Sequence, residues 1–151
     1  MAQADAFEAA LAALHSKERT AHELALWLDE RGFGLEAIEV VLTRLAEADV
    51  LNEERFARRY AEDKRELSGW GPERIREALV ARGVPSEAVD AALAADSYRD
   101  QLDRAREVLA RRGRALEGNA DRQRALEYLT RRGYDYEIAY EAVRSLSARA
   151  A

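Results

Sequence analysis

The chain has 151 residues, no cysteine, 48% hydrophobic and 35% charged residues, and a formal net charge of −5. That length supports only one or two small cores, and the missing thiols exclude both a disulfide framework and a thiolate metal site. The negative charge argues against a protein that coats nucleic acid indiscriminately by neutralising phosphates.

Residues 5–15 predict a first Ala- and Leu-rich helix, in which Asp5 and Glu8 break the uncharged run that an export signal needs. No stretch of about 18 apolar residues offers a membrane span, so a soluble, cytoplasmic protein is expected. Thr20 with Glu23 three positions on forms a capping box that opens a helix ending at Arg31, and Gly32 then supplies the left-handed residue that stops it. Leu35, Ile38, Leu42 and Leu45 share one face of the next helix. Asn52 suits the N-cap of another, with Phe56, Tyr60 and Leu67 inward and Arg55, Arg58, Arg59, Glu62 and Arg65 on its polar face.

Ser68-Gly69-Trp70-Gly71-Pro72 breaks that helix, and Pro72 begins the next with Trp70 placed to staple onto Ile75. Leu79 leads into Arg82-Gly83, after which Val89 and Leu93 follow. A helix starting near Ser97, with Asp100 at the box position, turns Tyr98, Leu102, Ala105 and Leu109 inward and ends at Gly113. Past a polar loop through Gly118 and Asn119, the last apolar series runs Ala125, Leu126, Leu129, Ile138, Ala142, Val143 and Leu146, interrupted by Arg132-Gly133.

A repeat underlies this order. Leu28-Asp29-Glu30-Arg31-Gly32-Phe33, Leu79-Val80-Ala81-Arg82-Gly83-Val84 and Leu129-Thr130-Arg131-Arg132-Gly133-Tyr134 recur at spacings of 51 and 50 residues. The expected fold is all-α, a curved array of three tandem three-helix repeats with an extra N-terminal helix and a truncated last repeat. Its expected units are 1–68, 69–118 and 119–151.

Catalysis finds no support. His15 and His22 lack a nucleophile or metal-ligand partner at helical spacing, no phosphate loop or nucleophile elbow is present, and the carboxylates are scattered among arginines as solvated pairs. No cofactor is expected. In the Arg-Gly pairs, arginine complements the helix dipole and glycine terminates the helix. Trp27, Trp70 and Tyr98 read as packing residues. The doubled arginines Arg58-Arg59, Arg111-Arg112 and Arg131-Arg132 each place at least one guanidinium toward solvent, because adjacent helical residues point about 100° apart. Charge is uneven: residues 1–54 carry 12 acids against 4 bases, and residues 97–132 carry 6 against 10.

Leu51-Asn52-Glu53-Glu54-Arg55-Phe56-Ala57, Gly71-Pro72-Glu73-Arg74-Ile75 and the three Arg-Gly turns together closely resemble the signature of the RecX family of bacterial recombinase regulators. Glu53 stands where that family more often has Asp, which keeps the charge. The resemblance implies a non-catalytic protein that lodges in the helical groove of the RecA recombinase filament and inhibits its ATPase and strand-exchange activities. The implied partners are the RecA filament and DNA within it, with no membrane and a monomeric chain. The arginine faces of Arg55, Arg58, Arg59, Arg104, Arg111, Arg112, Arg131 and Arg132 are the candidate contact surface. Two alternatives stay open: a nucleic-acid-binding module using the basic stretch 97–132, and a scaffold binding an unrelated protein.

Overall fold

The computed structural model describes residues 2–150, with side chains from Ala4 to Ala148. Among these residues it contains nine helices and no strand: α1 (Ala2–Ser16), α2 (Ala21–Glu30), α3 (Leu35–Glu47), α4 (Glu53–Ser68), α5 (Pro72–Ala81), α6 (Ser86–Ala94), α7 (Tyr98–Arg112), α8 (Asn119–Arg131) and α9 (Tyr136–Ala150). The fold is an all-α array of three tandem three-helix units.

Local chemistry sets most helix ends. The Thr20 hydroxyl accepts from the Glu23 amide while the Glu23 carboxylate accepts from the Thr20 amide, completing the capping box, a device of about 1 kcal/mol. Asn52 caps α4 through the Arg55 amide at 2.9 Å, and Ser97 caps α7 through the Asp100 amide at 3.1 Å. Gly32, Gly83 and Gly133 follow their helices at φ of 89°, 81° and 102°, a backbone that a side chain disfavours. Trp70, just before the N-cap Gly71, packs on the core containing Ile75.

Three separate cores define the units. Ala6, Ala10, Leu24, Leu28, Ile38, Val41 and Leu45 unite α1 to α3; Phe56, Ala57, Ala61, Ile75, Leu79 and Val89 unite α4 to α6; Ala105, Leu109, Leu129, Tyr134, Ile138 and Val143 unite α7 to α9. The repeat is therefore phased one helix earlier than expected. The boundary at 68/69 cuts the second core and the one at 118/119 cuts the third, because Phe56, Ala57 and Ala61 face α5 and α6, and Ala105 and Leu109 face α8 and α9. The helix counted as an N-terminal extra is the long first helix of unit one, which leaves α7 to α9 as a complete third unit. Leu35, Leu67 and Tyr98, expected inside, are 71%, 82% and 49% exposed. Each lies in the terminal turn of its helix, beyond the reach of the core.

One difference in length matters later. α2 and α5 have 10 residues each, whereas α8 has 13. Aligned on the Arg-Gly turns, the extra turn of α8 is at its N-terminal end, before the position equivalent to Thr20 and Gly71.

Candidate protein-interaction surface

The repeated Arg-Gly turns stitch one unit to the next. The turn between α5 and α6 docks on the N-terminus of α2: the Thr20 hydroxyl donates to the Arg82 carbonyl at 2.7 Å, and Arg82 donates to both Glu23 oxygens at 2.8 and 3.1 Å. A Cβ on Gly83 would sit 2.4 Å from the His22 side chain, so only glycine permits this approach. Burial pushes the Glu23 carboxyl up, but hydrogen bonds from Arg82 and Thr20 outweigh it and hold the group below its ordinary value. A lowered native pKa gives stability above the unfolded value of about 4.3 and loses it as pH falls through the native value. Glu23→Gln should therefore flatten part of the acid limb of a melting-temperature profile between about pH 2.5 and 7. An unaltered limb would show that this joint adds no pH-dependent stability.

The turn between α8 and α9 docks on the N-terminus of α5, here through backbone amides. The Gly71 amide donates to the Arg132 carbonyl at 2.8 Å and the Glu73 amide to the Gly133 carbonyl at 2.9 Å. Both joints set the carbonyl end of one helix against the N–H end of another, the favourable pairing of helix dipoles. Arg132 donates to the Ser68 carbonyl and lies over the Tyr128 ring.

Beside this joint lies a buried polar network. Asp96, in the α6–α7 connection, has a side chain 1% exposed and takes a bidentate contact from Arg104 at 2.7 and 3.1 Å, with the Arg65 Nε 3.4 Å away. Arg104 also donates to the Trp70 carbonyl and the Tyr134 hydroxyl, each at 3.1 Å, and that hydroxyl donates to the Gly69 carbonyl at 2.8 Å. Burial opposes the charge on Arg104, yet its bonds to Asp96 and Tyr134 prevail and raise its pKa.

These contacts divide the eight candidate arginines. Arg104 and Arg132 belong to the joint between units two and three, and Arg55 ties the α3–α4 loop by donating to the Asp49 carboxylate at 2.9 Å and carbonyl at 2.8 Å. Those three are structural contacts in place of an open partner face, and Arg65 likewise turns inward to the Ala92 carbonyl. Arg112 is half-buried against Tyr128. Arg58, Arg59, Arg111 and Arg131 face solvent, Arg59 at 3.9 Å from Glu18 and Arg111 at 2.6 Å from Glu107.

Two clefts run between the long helices that open the units. One of about 460 Å³ lies between α1 and α4, bordered by His15, Glu18 and Arg59; one of about 560 Å³ lies between α4 and α7, rimmed by Glu62, Glu66, Asp103 and Glu107 with Arg111. The second rim is mainly acidic, so the arginine surface is a set of separate points and not a stripe. Sequence reasoning missed Asp96; its signal was an isolated acid in a helix connection, eight residues before an arginine on an apolar-flanked face. Among the described residues, no group of three or more His, Asp or Glu is placed to hold a metal, and no helix is long and apolar enough to cross a membrane.

Residues 6–45 match the family described as RecX, first three-helix domain, and residues 52–93 match RecX, second three-helix domain. Proteins named Regulatory protein RecX from Halorhodospira halophila and Stenotrophomonas maltophilia are 40% and 34% identical to this chain. The alignments cover 84% and 89% of it and 79% and 83% of theirs. The chain belongs to the RecX family. The matched domain limits agree with the first two cores, which again places α4 with α5 and α6. A 30% identical RecX from Halalkalibacterium halodurans is longer, and this chain spans about half (52%) of it. In fold, this RecX-family chain is similar to the crystal structure of RecX from Lactobacillus salivarius, with a TM-score of 0.87 at 21% identity over 97% of each chain. Its relatives are named as regulators.

Proposed function

We propose that this chain is a non-catalytic, cytoplasmic regulator that binds the RecA recombinase filament in its helical groove as a monomer and inhibits ATP hydrolysis and strand exchange. The observation that carries this reading is likeness over most of the chain to proteins named as RecX regulators. The architecture supports it. Three units in tandem can touch more than one protomer of a polymer, and the acidic first unit with a more basic third can orient the array by charge.

Arg58, Arg59, Arg111 and Arg131 are the contacts to acidic recombinase surface or to DNA in the groove, because they are exposed and lie outside the Arg-Gly joints, Arg59 reaching unit one only through the exposed 3.9 Å pair with Glu18. Arg58→Glu with Arg59→Glu, and separately Arg111→Glu with Arg131→Glu, should each weaken inhibition of the DNA-dependent ATPase about tenfold. Helicity should be retained. Unchanged potency in both double variants would remove these residues from the interface. Failure of the wild-type protein to inhibit the ATPase or to co-sediment with filaments would end the recombinase reading. Tight, salt-sensitive binding to bare DNA would favour the nucleic-acid module instead.

A further inference from the structure

Two of the three Arg-Gly turns are docked on a helix N-terminus, and the first is not. Arg31-Gly32 lies at the outer end of unit one, where a Cβ on Gly32 would meet nothing within 4 Å. Among the described residues, no backbone amide outside regular helices donates to the Arg31 or Gly32 carbonyl. The equivalent carbonyls of Arg132 and Gly133 each accept one across the joint.

The undocked turn nonetheless carries the arginine-on-aromatic contact of the docked turn in unit three. Arg31 stacks 4.0 Å over the Trp27 ring, with Arg19 on the same ring at 5.5 Å. In unit three, Arg132 and Arg112 both lie over Tyr128, at 5.4 and 5.0 Å, and there the turn is engaged. The aromatic residue stands four positions before the turn arginine in both. The residue after the glycine tells the same story, since Val84 and Tyr134 are buried whereas Phe33 is only half-buried. Trp27, Arg31, Phe33 and Arg19 open onto a groove of about 600 Å³ against α1.

Charge narrows the occupant. Residues 1–54 hold 12 acids and only 4 bases, and two of those bases, Arg19 and Arg31, gather at Trp27. A small basic point on an acidic unit disfavours a polyphosphate chain, which needs many neutralising contacts. It suits one carboxylate beside a neutral hydrogen-bond donor, the combination that Glu23 and the Thr20 hydroxyl offer to the Arg82 guanidinium and carbonyl.

We propose that the Trp27–Arg31–Gly32–Phe33 face docks on a helix N-terminus of the recombinase protomer that carries Asp or Glu in its first turn, combining between molecules the carboxylate contact of this chain's first internal joint with the amide contacts of its second. This inference rests on the recombinase reading above. The partner's first amides donate to the Arg31 and Gly32 carbonyls, and its carboxylate receives the Arg31 guanidinium.

The test places a photoreactive benzophenone side chain at exposed Glu30 and illuminates the full-length protein on RecA filaments assembled on single-stranded DNA. In parallel it measures filament affinity for Arg31→Glu and Arg31→Lys. The expected results are a cross-link within the acidic first turn of a recombinase helix, at least tenfold weaker binding for Arg31→Glu, a smaller loss for Arg31→Lys, and melting temperatures close to wild type. A cross-link to DNA or to a different recombinase element, or Arg31→Glu binding within twofold of wild type, overturns the docking proposal while leaving the recombinase reading intact. If the unmodified wild-type protein does not co-sediment with filaments at all, the recombinase reading has failed and the docking proposal falls with it.

Discussion

Asp96→Ala is expected to destabilise the protein by about 3–5 kcal/mol, the range for removing one partner of a buried ion pair. The reason is specific to what remains. Asp96 is the carboxylate that neutralises Arg104 and lies beside Arg65, both only 13% exposed on their side chains. Without it, two guanidiniums are left in a site with too little water to solvate them. The loss should spread across the joint, because Arg104 also holds the Trp70 carbonyl and the Tyr134 hydroxyl. For a protein of this size, the change corresponds to a melting temperature lowered by roughly 10 °C. Urea denaturation of wild type and variant at neutral pH measures it. A difference below about 1 kcal/mol, the usual ceiling for an exposed pair, would mean that the network is solvated. Asp96→Asn keeps one acceptor oxygen for Arg104, its amide NH2 being a donor, and should fall between wild type and Asp96→Ala.

Gly133→Ala and Gly32→Ala should differ sharply although they alter the same motif position. Both residues have positive φ, so both substitutions carry backbone strain of about 1–2 kcal/mol. At Gly32 that is all, since the added methyl meets open space. At Gly133 the methyl would lie 2.5 Å from the Arg74 amide nitrogen and Cβ, and 2.8 Å from the Gly71 carbonyl oxygen. Backbone cannot yield there without breaking the bonds from the Gly71 and Glu73 amides, so overpacking adds about 1–3 kcal/mol. Thermal melts of the two variants side by side read this directly. Equal losses would show that the glycine serves only to stop the helix and that the joint has room to spare.

Much of this architecture is legible in the residues because it is local. The Thr20–Glu23 capping box, the Asn52 and Ser97 caps and the glycines after Arg31, Arg82 and Arg132 depend on hydrogen bonds and φ values spanning a few positions, and each stands where the spacing put it. The phase of the repeat depends on something else. α4 is joined to both neighbours by short connections, and only the direction of Phe56, Ala57 and Ala61 decides which core it enters. Periodicity gives the presence of such a face but not its partner. The arginines were legible least. A guanidinium on a polar helix face serves equally as a solvent contact, as Arg58 does, or as a buried tie between units, as Arg104 does. The choice depends on a carboxylate from a distant connection, Asp96, and on carbonyls freed at the end of α4.

The longer α8 carries a final consequence. The starts of α2 and α5 receive the next Arg-Gly turn, through the Thr20 hydroxyl and through the Gly71 and Glu73 amides respectively, but α8 begins about one turn earlier, so its own Asn119–Asp121 backbone runs through the corresponding place. A head-to-tail contact that repeats without limit would build fibres. The start of α8 therefore differs in shape from the two seats that α2 and α5 provide, and the two ends of the array are unlike: the Arg31-Gly32 turn of one copy does not meet on a second copy the joint that the chain makes within itself.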